Sequence, residues 1–187
     1  IKSKLSEFID NYHNVNPSSR IDYSKTPKDR YTFIDFFAGA GGFSEGFIQA
    51  HTKDKWFDFI LASDIDENCE LTHKARYNEQ LGLSTKFLKK NITDHDFLNQ
   101  LKESMAPSRE VDVIVGGPPC QSFSLAGRRR EFDVKNNLFY HYLKIIRELK
   151  PKYFVMENVR GLVNKDGGKI KDEILSQIRS IIDLDKL

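Results

Sequence analysis

Five short apolar stretches separated by helical segments constrain the fold of this chain more than any other feature of its sequence. The stretches are 31–37, 58–63, 85–88, 111–115 and 153–156. Segments with apolar residues at helical spacing follow each of them, at 42–50, 67–78, 96–105, 136–149 and 170–182. Strands that alternate with helices form right-handed βαβ units and a parallel sheet covered on both faces. The sequence therefore predicts an α/β fold with a parallel sheet of about five or more strands.

The first thirty residues do not follow this alternation. Leu5, Phe8, Ile9 and Tyr12 have the spacing of one face of a short helix, and residues 14–19 have the composition of a loop. We therefore expect an N-terminal extension over 1–30 with one short helix, followed by a single domain over 31–187.

Composition excludes several classes of protein. The chain has 187 residues, 29 basic and 27 acidic, so its net charge of +2 gives no indication of a nucleic-acid partner. Cys69 and Cys120 are its two cysteines, and no Cys/His cluster has zinc spacing, so we expect no metal site. Apolar runs are too short for a membrane helix, which makes a reducing, cytoplasmic compartment the default.

A glycine-rich turn follows the first predicted strand. Phe37, Gly39, Gly41 and Gly42 form an FxGxGG pattern at the start of a predicted helix. The pattern is neither GxGxxG nor a Walker loop, so a dinucleotide or phosphate ligand is disfavoured. A nucleoside cofactor without phosphates, such as S-adenosylmethionine, suits such a turn, and the alternative is a tight turn with no ligand.

An acidic residue ends the second predicted strand. Asp64 stands about 25 residues after the glycine turn, where a carboxylate can accept hydrogen bonds from both hydroxyls of a ribose. Ile65 is placed to pack on an adenine face. Asp66 is a candidate cap for the next helix, and capping is the alternative role for Asp64 as well.

A cysteine follows two prolines after the fourth predicted strand, in the segment 116–124. Tandem prolines fix the backbone, and the side chain held beyond them is Cys120, a candidate nucleophile. The alternative is a small buried cysteine, which suits Cys69 better because it falls inside a predicted helix. Arg128, Arg129 and Arg130 form a cationic run beyond this loop, suited to phosphate contacts or to simple solvation.

Glu157 ends the fifth predicted strand. Partial burial there would favour its protonated form, which can donate a hydrogen bond or a proton to a ring nitrogen. The alternative is a glutamate that pairs with a nearby base.

Together these segments resemble the cytosine-5 DNA methyltransferase family. The resemblance is carried by 37–43, 117–124 and 157–159, in that order, and it covers about residues 31–165. It implies a Rossmann-like, S-adenosylmethionine-dependent methyltransferase fold, double-stranded DNA as substrate, and a bacterial cytoplasmic enzyme of the restriction-modification type.

The resemblance also assigns roles to individual residues. Expected cofactor-binding residues are Phe37, Ala38, Gly39, Gly41, Gly42, Asp64, Ile65, Asn91, Ile92, Pro118 and Leu138. Expected substrate-binding residues are Pro118, Pro119, Gln121, Ser124, Asn158, Val159, Arg128, Arg129 and Arg130. Asn91 stands where the family commonly has an aspartate that reaches the adenine amino group, and its carbonyl oxygen is expected to accept in its place. Leu138 would close over the cofactor.

The implied mechanism is covalent. The target cytosine leaves the duplex, the Cys120 thiolate adds to carbon 6, and Glu157 stabilises the adduct at ring nitrogen 3. Carbon 5 then takes the methyl group, and loss of its proton expels Cys120.

The family normally continues with a target-recognition domain, which is not seen in this sequence. We therefore expect a truncation, or a subunit that needs a second polypeptide, with little activity alone. Three alternatives remain open: a transfer RNA cytosine-5 methyltransferase, an inert subunit with the same fold, and a nicotinamide dehydrogenase. The absence of GxGxxG weakens the last of these.

Overall fold

A computed structural model describes residues 29–52, 55–106, 110–119, 138–157 and 169–180. Its strands are β1 (Asp29–Phe36), β2 (Lys55–Asp64), β3 (Lys86–Lys89), β4 (Val113–Gly116) and β5 (Tyr153–Met156). Its helices are α1 (Gly42–Gln49), α2 (Glu67–His73, continued by a π-helix over Lys74–Gln80), α3 (Phe97–Ser104), α4 (Leu138–Leu149) and α5 (Lys169–Arg179).

The five strands form one sheet in the order β3-β2-β1-β4-β5, and every neighbouring pair is parallel. The predicted Rossmann-like α/β architecture is therefore confirmed. β1 begins two residues earlier than predicted, since Asp29 and Arg30 already pair with β2. The Arg30 guanidinium binds the Asp58 carboxylate at 2.6 Å across this pair. The helix expected over residues 5–12 lies outside the described residues.

Apolar side chains on the two faces of the sheet form two separate cores. One lies under α3, α4 and α5, where Phe97, Tyr142 and Ile174 belong to the same buried cluster as the sheet residues Ile34 and Ile114. The other lies under α1 and α2, and its buried members are Phe33, Ala38, Ile48, Phe59, Ala62, Tyr77, Val113 and Val115. Both faces of the sheet are thus covered by helices, as a parallel sheet requires.

The helix after β2 differs from the prediction. The sequence predicts one regular helix over 67–78, but the α-helical part ends at His73 and a π-helix runs from Lys74 to Gln80. Wider winding of this kind changes which side chains share a face. Here it brings two consecutive residues, Arg76 and Tyr77, into contact with the start of α1.

The register of the strands brings the carboxyl ends of four of them to one edge. Phe36 pairs with Ser63 on one side and with Gly116 on the other, and Gly116 pairs with Met156. The segments that follow β1, β2, β4 and β5 therefore leave the sheet side by side, where ligands bind in folds of this type.

Candidate active site

A cleft of about 300 Å³ opens at this edge of the sheet. It is lined by Phe36, Phe37, Ser63, Asp64, Ile65, Lys90, Asn91, Ile92, Gly117, Pro119 and Leu138. Six of the expected cofactor residues and one expected substrate residue are therefore brought together, from the ends of β1, β2, β3 and β4 and the start of α4. Ala38, Gly39, Gly41, Gly42 and Pro118 are not among the lining residues.

Asp64 joins the end of β2 to the glycine turn. Its Oδ2 accepts a hydrogen bond from the Gly39 N–H at 2.9 Å, and its Oδ1 accepts one from the Asp66 N–H at 3.1 Å. Each carboxylate oxygen can accept a further bond. Capping of the next helix falls to Asp66, whose side chain accepts from the Asn68 N–H at 2.7 Å. Asp64 is thus a turn-bound carboxylate at the cleft and not the helix cap.

The turn after β1 has a backbone that most residues avoid. Phe37, Gly39 and Gly41 have φ values of 57°, 52° and 95°. For the aromatic Phe37 this left-handed conformation costs on the order of 1 kcal/mol, and it places the residue in the cleft wall. The Ala38 N–H donates to the Ser63 carbonyl at 3.2 Å, which ties the turn to β2.

Ile65, Ile92 and Leu138 contribute apolar side chains to the lining of the cleft. Ile65 is 66% exposed although it is a large aliphatic residue, whereas Ile92 is buried and Leu138 is half-buried. An exposed isoleucine next to a carboxylate offers one face for a flat, apolar ring. The lining is therefore of mixed character, since it contains these apolar side chains and the carboxylate of Asp64.

The side chain of Asn91 makes hydrogen bonds within its own loop. Its Oδ1 accepts hydrogen bonds from both the N–H and the hydroxyl of Thr93, at 3.0 and 2.9 Å. A carbonyl oxygen has two lone pairs, so the expected acceptor is already engaged. What Asn91 offers a ligand is the pair of N–H donors on its amide nitrogen.

Glu157 lies beside the start of the proline loop. A Cβ atom placed on Gly117 would lie 3.1 Å from Glu157 Oε2. The carboxylate therefore occupies the space next to Gly117 that a side chain would need. The Glu157 N–H donates to the Gly116 carbonyl at 3.0 Å, which extends the β4–β5 pairing by one step. Glu157 is exposed and follows β5, the outer strand of the described sheet.

The remaining predicted site residues lie outside the described residues. They are Cys120, Gln121, Ser124, Arg128, Arg129, Arg130, Asn158 and Val159. Pro118 is buried and Pro119 is exposed at the cleft, so the described chain leads up to Cys120 from the cleft wall. Across the described ranges, no three His, Cys, Asp or Glu side chains cluster as metal ligands, and no helix has the length and apolar character to cross a membrane.

Sequence reasoning missed four lining residues, Phe36, Ser63, Lys90 and Gly117. Each is adjacent in sequence to a residue that was identified or to the proline motif, so adjacency at strand ends is the signal that points to them. Lys90 donates to Asp96 at 2.6 Å and places a cation at the cleft wall.

Sequence reasoning also missed a buried polar group beneath the turn. Asp35 is 1% exposed, and desolvation raises its pKa to about 7 against the lowering effect of two hydrogen bonds from Ser44. His73 is 2% exposed, and desolvation lowers its pKa to about 4, which the Gly39 backbone and Asp64 oppose only in part. A carboxylate within an otherwise apolar strand run was the available signal for Asp35.

Solved structures match the fold of this chain. A carbonyl reductase from Pseudomonas aeruginosa, solved in complex with NADP, superposes with a TM-score of 0.56 at 17% identity. The superposition covers 81% of this chain and 74% of that chain. Identity at this level shows the shared fold alone, and the FxGxGG turn of this chain differs from the dinucleotide fingerprint.

Sequence comparison is more specific. The family model of C-5 cytosine-specific DNA methylases matches residues 31–181. The type II methyltransferase M.XorII of Xanthomonas oryzae is 41% identical over 129 residues, which are 69% of this chain and 28% of that protein. The type II methyltransferase M.Sau96I of Staphylococcus aureus is 39% identical over 174 residues, 92% of this chain and 34% of that protein.

The chain therefore spans about a third of the length of these curated relatives. The family match contains every described strand except the first two residues of β1, together with the whole cleft lining. The description of the matched family names DNA, and nothing in these comparisons favours transfer RNA. This chain belongs to the C-5 cytosine-specific DNA methylase family.

Proposed function

We propose that this chain binds S-adenosylmethionine and supplies the nucleophile of a DNA cytosine-5 methyltransferase that works in the bacterial cytoplasm. The observation that carries the proposal is the cleft itself. A carboxylate bound to the glycine turn and the proline segment that leads to Cys120 line the same cavity, with Glu157 against that segment. Family membership supports the type of reaction.

The residues of the cleft fit the nucleoside part of this cofactor. Asp64 retains acceptor capacity for two ribose hydroxyls, since each of its oxygens accepts one backbone hydrogen bond. Ile65 and Ile92 provide apolar surfaces for the base. The Asn91 N–H groups need an acceptor, which the ring nitrogens of adenine provide, so Asn91 is proposed to donate to the base.

When bound, the cofactor supplies an electrophilic methyl group on a sulfonium centre. The chain's own residues hold the nucleoside, exclude water and present the cytosine. Phe37 and Leu138 contribute aromatic and aliphatic walls to the cleft, and water excluded by them cannot compete for the methyl group.

Cys120 and Glu157 are the proposed catalytic residues. The Cys120 sulfur forms a bond to carbon 6 of a flipped-out cytosine, while Glu157 donates a hydrogen bond or a proton to ring nitrogen 3. Electron density then rises at carbon 5, which accepts the methyl group as the methyl–sulfur bond breaks and leaves a neutral thioether. The proton on carbon 5 is then lost to solvent, and the electron pair of the bond between carbon 6 and sulfur returns to Cys120.

Substrate contacts are proposed for the two segments that flank the nucleophile and the strand-end glutamate. They are Pro118, Pro119, Gln121 and Ser124 around the base, Asn158 and Val159 beside it, and Arg128, Arg129 and Arg130 on phosphates. The Pro118 carbonyl is the proposed acceptor for the exocyclic amine of cytosine. A target-recognition domain, whether in the same polypeptide or in a second one, is proposed to supply sequence specificity.

A covalent trap tests this proposal directly. The intact gene product is incubated with S-adenosylmethionine and duplex DNA that contains 5-fluorocytosine, which blocks loss of the carbon-5 substituent after methyl transfer. We expect a DNA–protein adduct that resists denaturation and that maps to Cys120. The Cys120→Ser protein serves as the control, and adduct formation at another residue would contradict the assignment.

Labelled methyl transfer separates DNA from transfer RNA as substrate. We expect label in duplex DNA at cytosine carbon 5 and none in transfer RNA. Label in transfer RNA alone would overturn the choice of substrate while leaving the chemistry of Cys120 intact. Assay of this chain by itself is expected to give little turnover, and robust turnover would show that a further domain is not required.

A further inference from the structure

Four buried polar side chains lie beneath the glycine turn and do not line the cleft. Asp35, Ser44, His73 and Tyr77 are each at most 2% exposed, and we refer to them as the turn-support layer. They come from β1, from α1 and from both parts of α2. Nothing in the proposed reaction uses them, although burial of polar groups is unfavourable unless contacts compensate for it.

Tyr77 holds the last residue of the turn from below. Its hydroxyl donates to the Gly41 carbonyl at 3.2 Å, and the same carbonyl accepts the Glu45 N–H at 2.8 Å in the first turn of α1. The Tyr77 ring is fixed by Phe59 and His73, whose ring centroids are each 5.0 Å away. The hydroxyl therefore has a defined position relative to the turn.

The same hydroxyl excludes any side chain at position 41. A Cβ atom on Gly41 would lie 2.6 Å from the Tyr77 oxygen and 3.3 Å from His73 Nε2. The first distance is too short for a real contact, and the φ of 95° is unfavourable for other residues as well. Glycine at this position is thus required by the support layer in addition to any ligand.

Asp35 fixes the other side of the turn. Gly41 is the N-cap of α1 and has no side chain to cap it. Asp35 Oδ2 takes over this role from the neighbouring strand, since it accepts from the Ser44 N–H at 3.1 Å and from the Ser44 hydroxyl at 2.6 Å. The turn is therefore anchored to β1 by Asp35 and to α2 by Tyr77.

The π-helix places the second anchor. Gly41 and Glu45 lie one turn apart on the same face of α1. The consecutive residues Arg76 and Tyr77 contact them, because the Arg76 guanidinium binds the Glu45 carboxylate at 2.6 and 3.0 Å while Tyr77 binds the Gly41 carbonyl. The irregular winding of α2 thus joins two neighbouring residues to one face of the helix that follows the turn.

We propose that Tyr77 is a positioning residue for cofactor binding, which acts through the Gly41 carbonyl to hold residues 37–41 in their binding conformation. The inference rests on the proposed function, since it assumes that the turn binds the nucleoside cofactor. Within the turn, the Gly41 N–H donates to the Ala38 carbonyl at 2.9 Å, and the preceding residue, Phe37, lines the cleft in a left-handed conformation.

Tyr77→Phe tests the proposal by removing one oxygen atom and keeping the ring. S-adenosylhomocysteine is the probe, with affinity measured by calorimetry and stability measured by thermal unfolding of the same samples. Tyr142→Phe is the matched control, because Tyr142 is also fully buried and its hydroxyl donates to a backbone carbonyl, that of Val155, at 3.0 Å. We expect similar decreases in Tm for the two variants.

Affinity separates a positioning role from a structural one. Tyr77→Phe is expected to raise the Kd for S-adenosylhomocysteine about tenfold, whereas Tyr142→Phe should change it less than about twofold. Equal Kd values for Tyr77→Phe and the unsubstituted protein would overturn the proposal. If the unsubstituted protein fails to bind the probe at all, the proposed function itself is wrong, which is a distinct result.

A double substitution provides a second test. Gly41→Ala is expected to lower Tm and affinity strongly, because its Cβ would overlap the Tyr77 hydroxyl. In the Tyr77→Phe background this contact no longer exists, so the same substitution should have a clearly smaller effect on both quantities. The positive φ remains, so recovery should be partial. Additive effects of the two substitutions would show that Tyr77 does not act on Gly41.

Discussion

The two halves of the sheet position their functional residues by different means. In the half formed by β1, β2 and β3, the turn after β1 is bound to β2 through Asp64 and Ser63, and to α2 through Tyr77. In the half formed by β4 and β5, Glu157 is exposed, and the side chains of Tyr153 and Val155 are 71% and 40% exposed.

Within the β4–β5 half, the exposure is confined to the outer strand. Val115 is fully buried, while its partner Val155 on β5 is exposed. β5 is the outer strand of the described sheet, and Val155 does not belong to the buried cluster under α1 and α2 that contains Val115. The β1–β3 half is proposed to bind the cofactor and is called the cofactor half; it is held by contacts among the described residues. The β4–β5 half is proposed to carry the catalytic residues, and its outer strand is exposed among the described residues. Cofactor affinity and methyl transfer should accordingly respond to different substitutions.

The largest effect is expected at the nucleophile. Cys120→Ala in the intact gene product should lower the rate of methyl transfer to DNA at least about a thousandfold, because the covalent route is lost. The Kd for S-adenosylhomocysteine should stay within about twofold, since the cofactor half is held independently. Labelled-methyl assays and calorimetry measure the two quantities. Parallel loss of both would break the proposed division between the halves.

The buried Asp35 and His73 should make the free energy of unfolding depend on pH in opposite directions, by a few kcal/mol each. For Asp35 the pKa rises from 3.8 in the unfolded chain to about 7, so its contribution to stability is full below pH 3.8 and is lost as the pH rises to 7. For His73 the pKa falls from 6.5 to about 4, so its contribution is full above pH 6.5 and is lost as the pH falls to 4.

Single substitutions should expose each contribution. Asp35→Asn should make the free energy of unfolding decrease more steeply on acidification from pH 6.5 to 4, and His73→Phe should make it decrease as the pH rises from 4 to 7. Urea denaturation across this range measures both profiles. Groups other than the substituted one contribute equally to all three proteins, so parallel profiles would contradict the assignment of these pKa shifts.

Asp64→Asn should weaken cofactor binding about tenfold, because a neutral amide accepts weaker hydrogen bonds from ribose hydroxyls than a carboxylate does. Asp66→Asn is the matched control, since Asp66 is the neighbouring acidic residue and caps α2 without lining the cleft. It should leave the Kd nearly unchanged. A larger effect of Asp66→Asn than of Asp64→Asn would show that Asp64 is the wrong carboxylate for the ribose contact.

The smallest effect has the opposite sign. Ile65→Phe should lower the Kd for S-adenosylhomocysteine about threefold, because an aromatic ring stacks on adenine better than an aliphatic side chain does. Ile65 is 66% exposed, so the larger ring fits without repacking a core. Leu71→Phe, at an exposed residue that does not line the cleft, is the control. An increase in Kd for Ile65→Phe would place the base elsewhere in the cleft.

Much of the architecture is predictable from local patterns. β5 was predicted at its observed bounds, and α1 to within one residue, because short apolar runs and the glycine turn punctuate the chain clearly. The start of β2 was placed three residues late. Asp58 separates the aromatic pair Trp56 and Phe57 from the apolar run that follows, and pairing with β1 extends the strand back to Lys55. The π-helix was not predicted, and two of its residues, Arg76 and Tyr77, contact residues more than 30 positions earlier in the chain.

By itself, the sequence determined the succession of strands and helices along the chain, the glycine turn, the Pro-Pro-Cys segment that contains Cys120 and the family of the chain. Each of these depends on residues that are neighbours in the sequence. Only the tertiary structure decided that Asp35 caps α1, that Tyr77 lies under Gly41, that the Asn91 carbonyl is engaged and that Glu157 is exposed. Tyr77 and Gly41 are 36 residues apart and Asp64 and Gly39 are 25 apart. Contacts at such separations depend on strand register and helix winding, which no local pattern specifies.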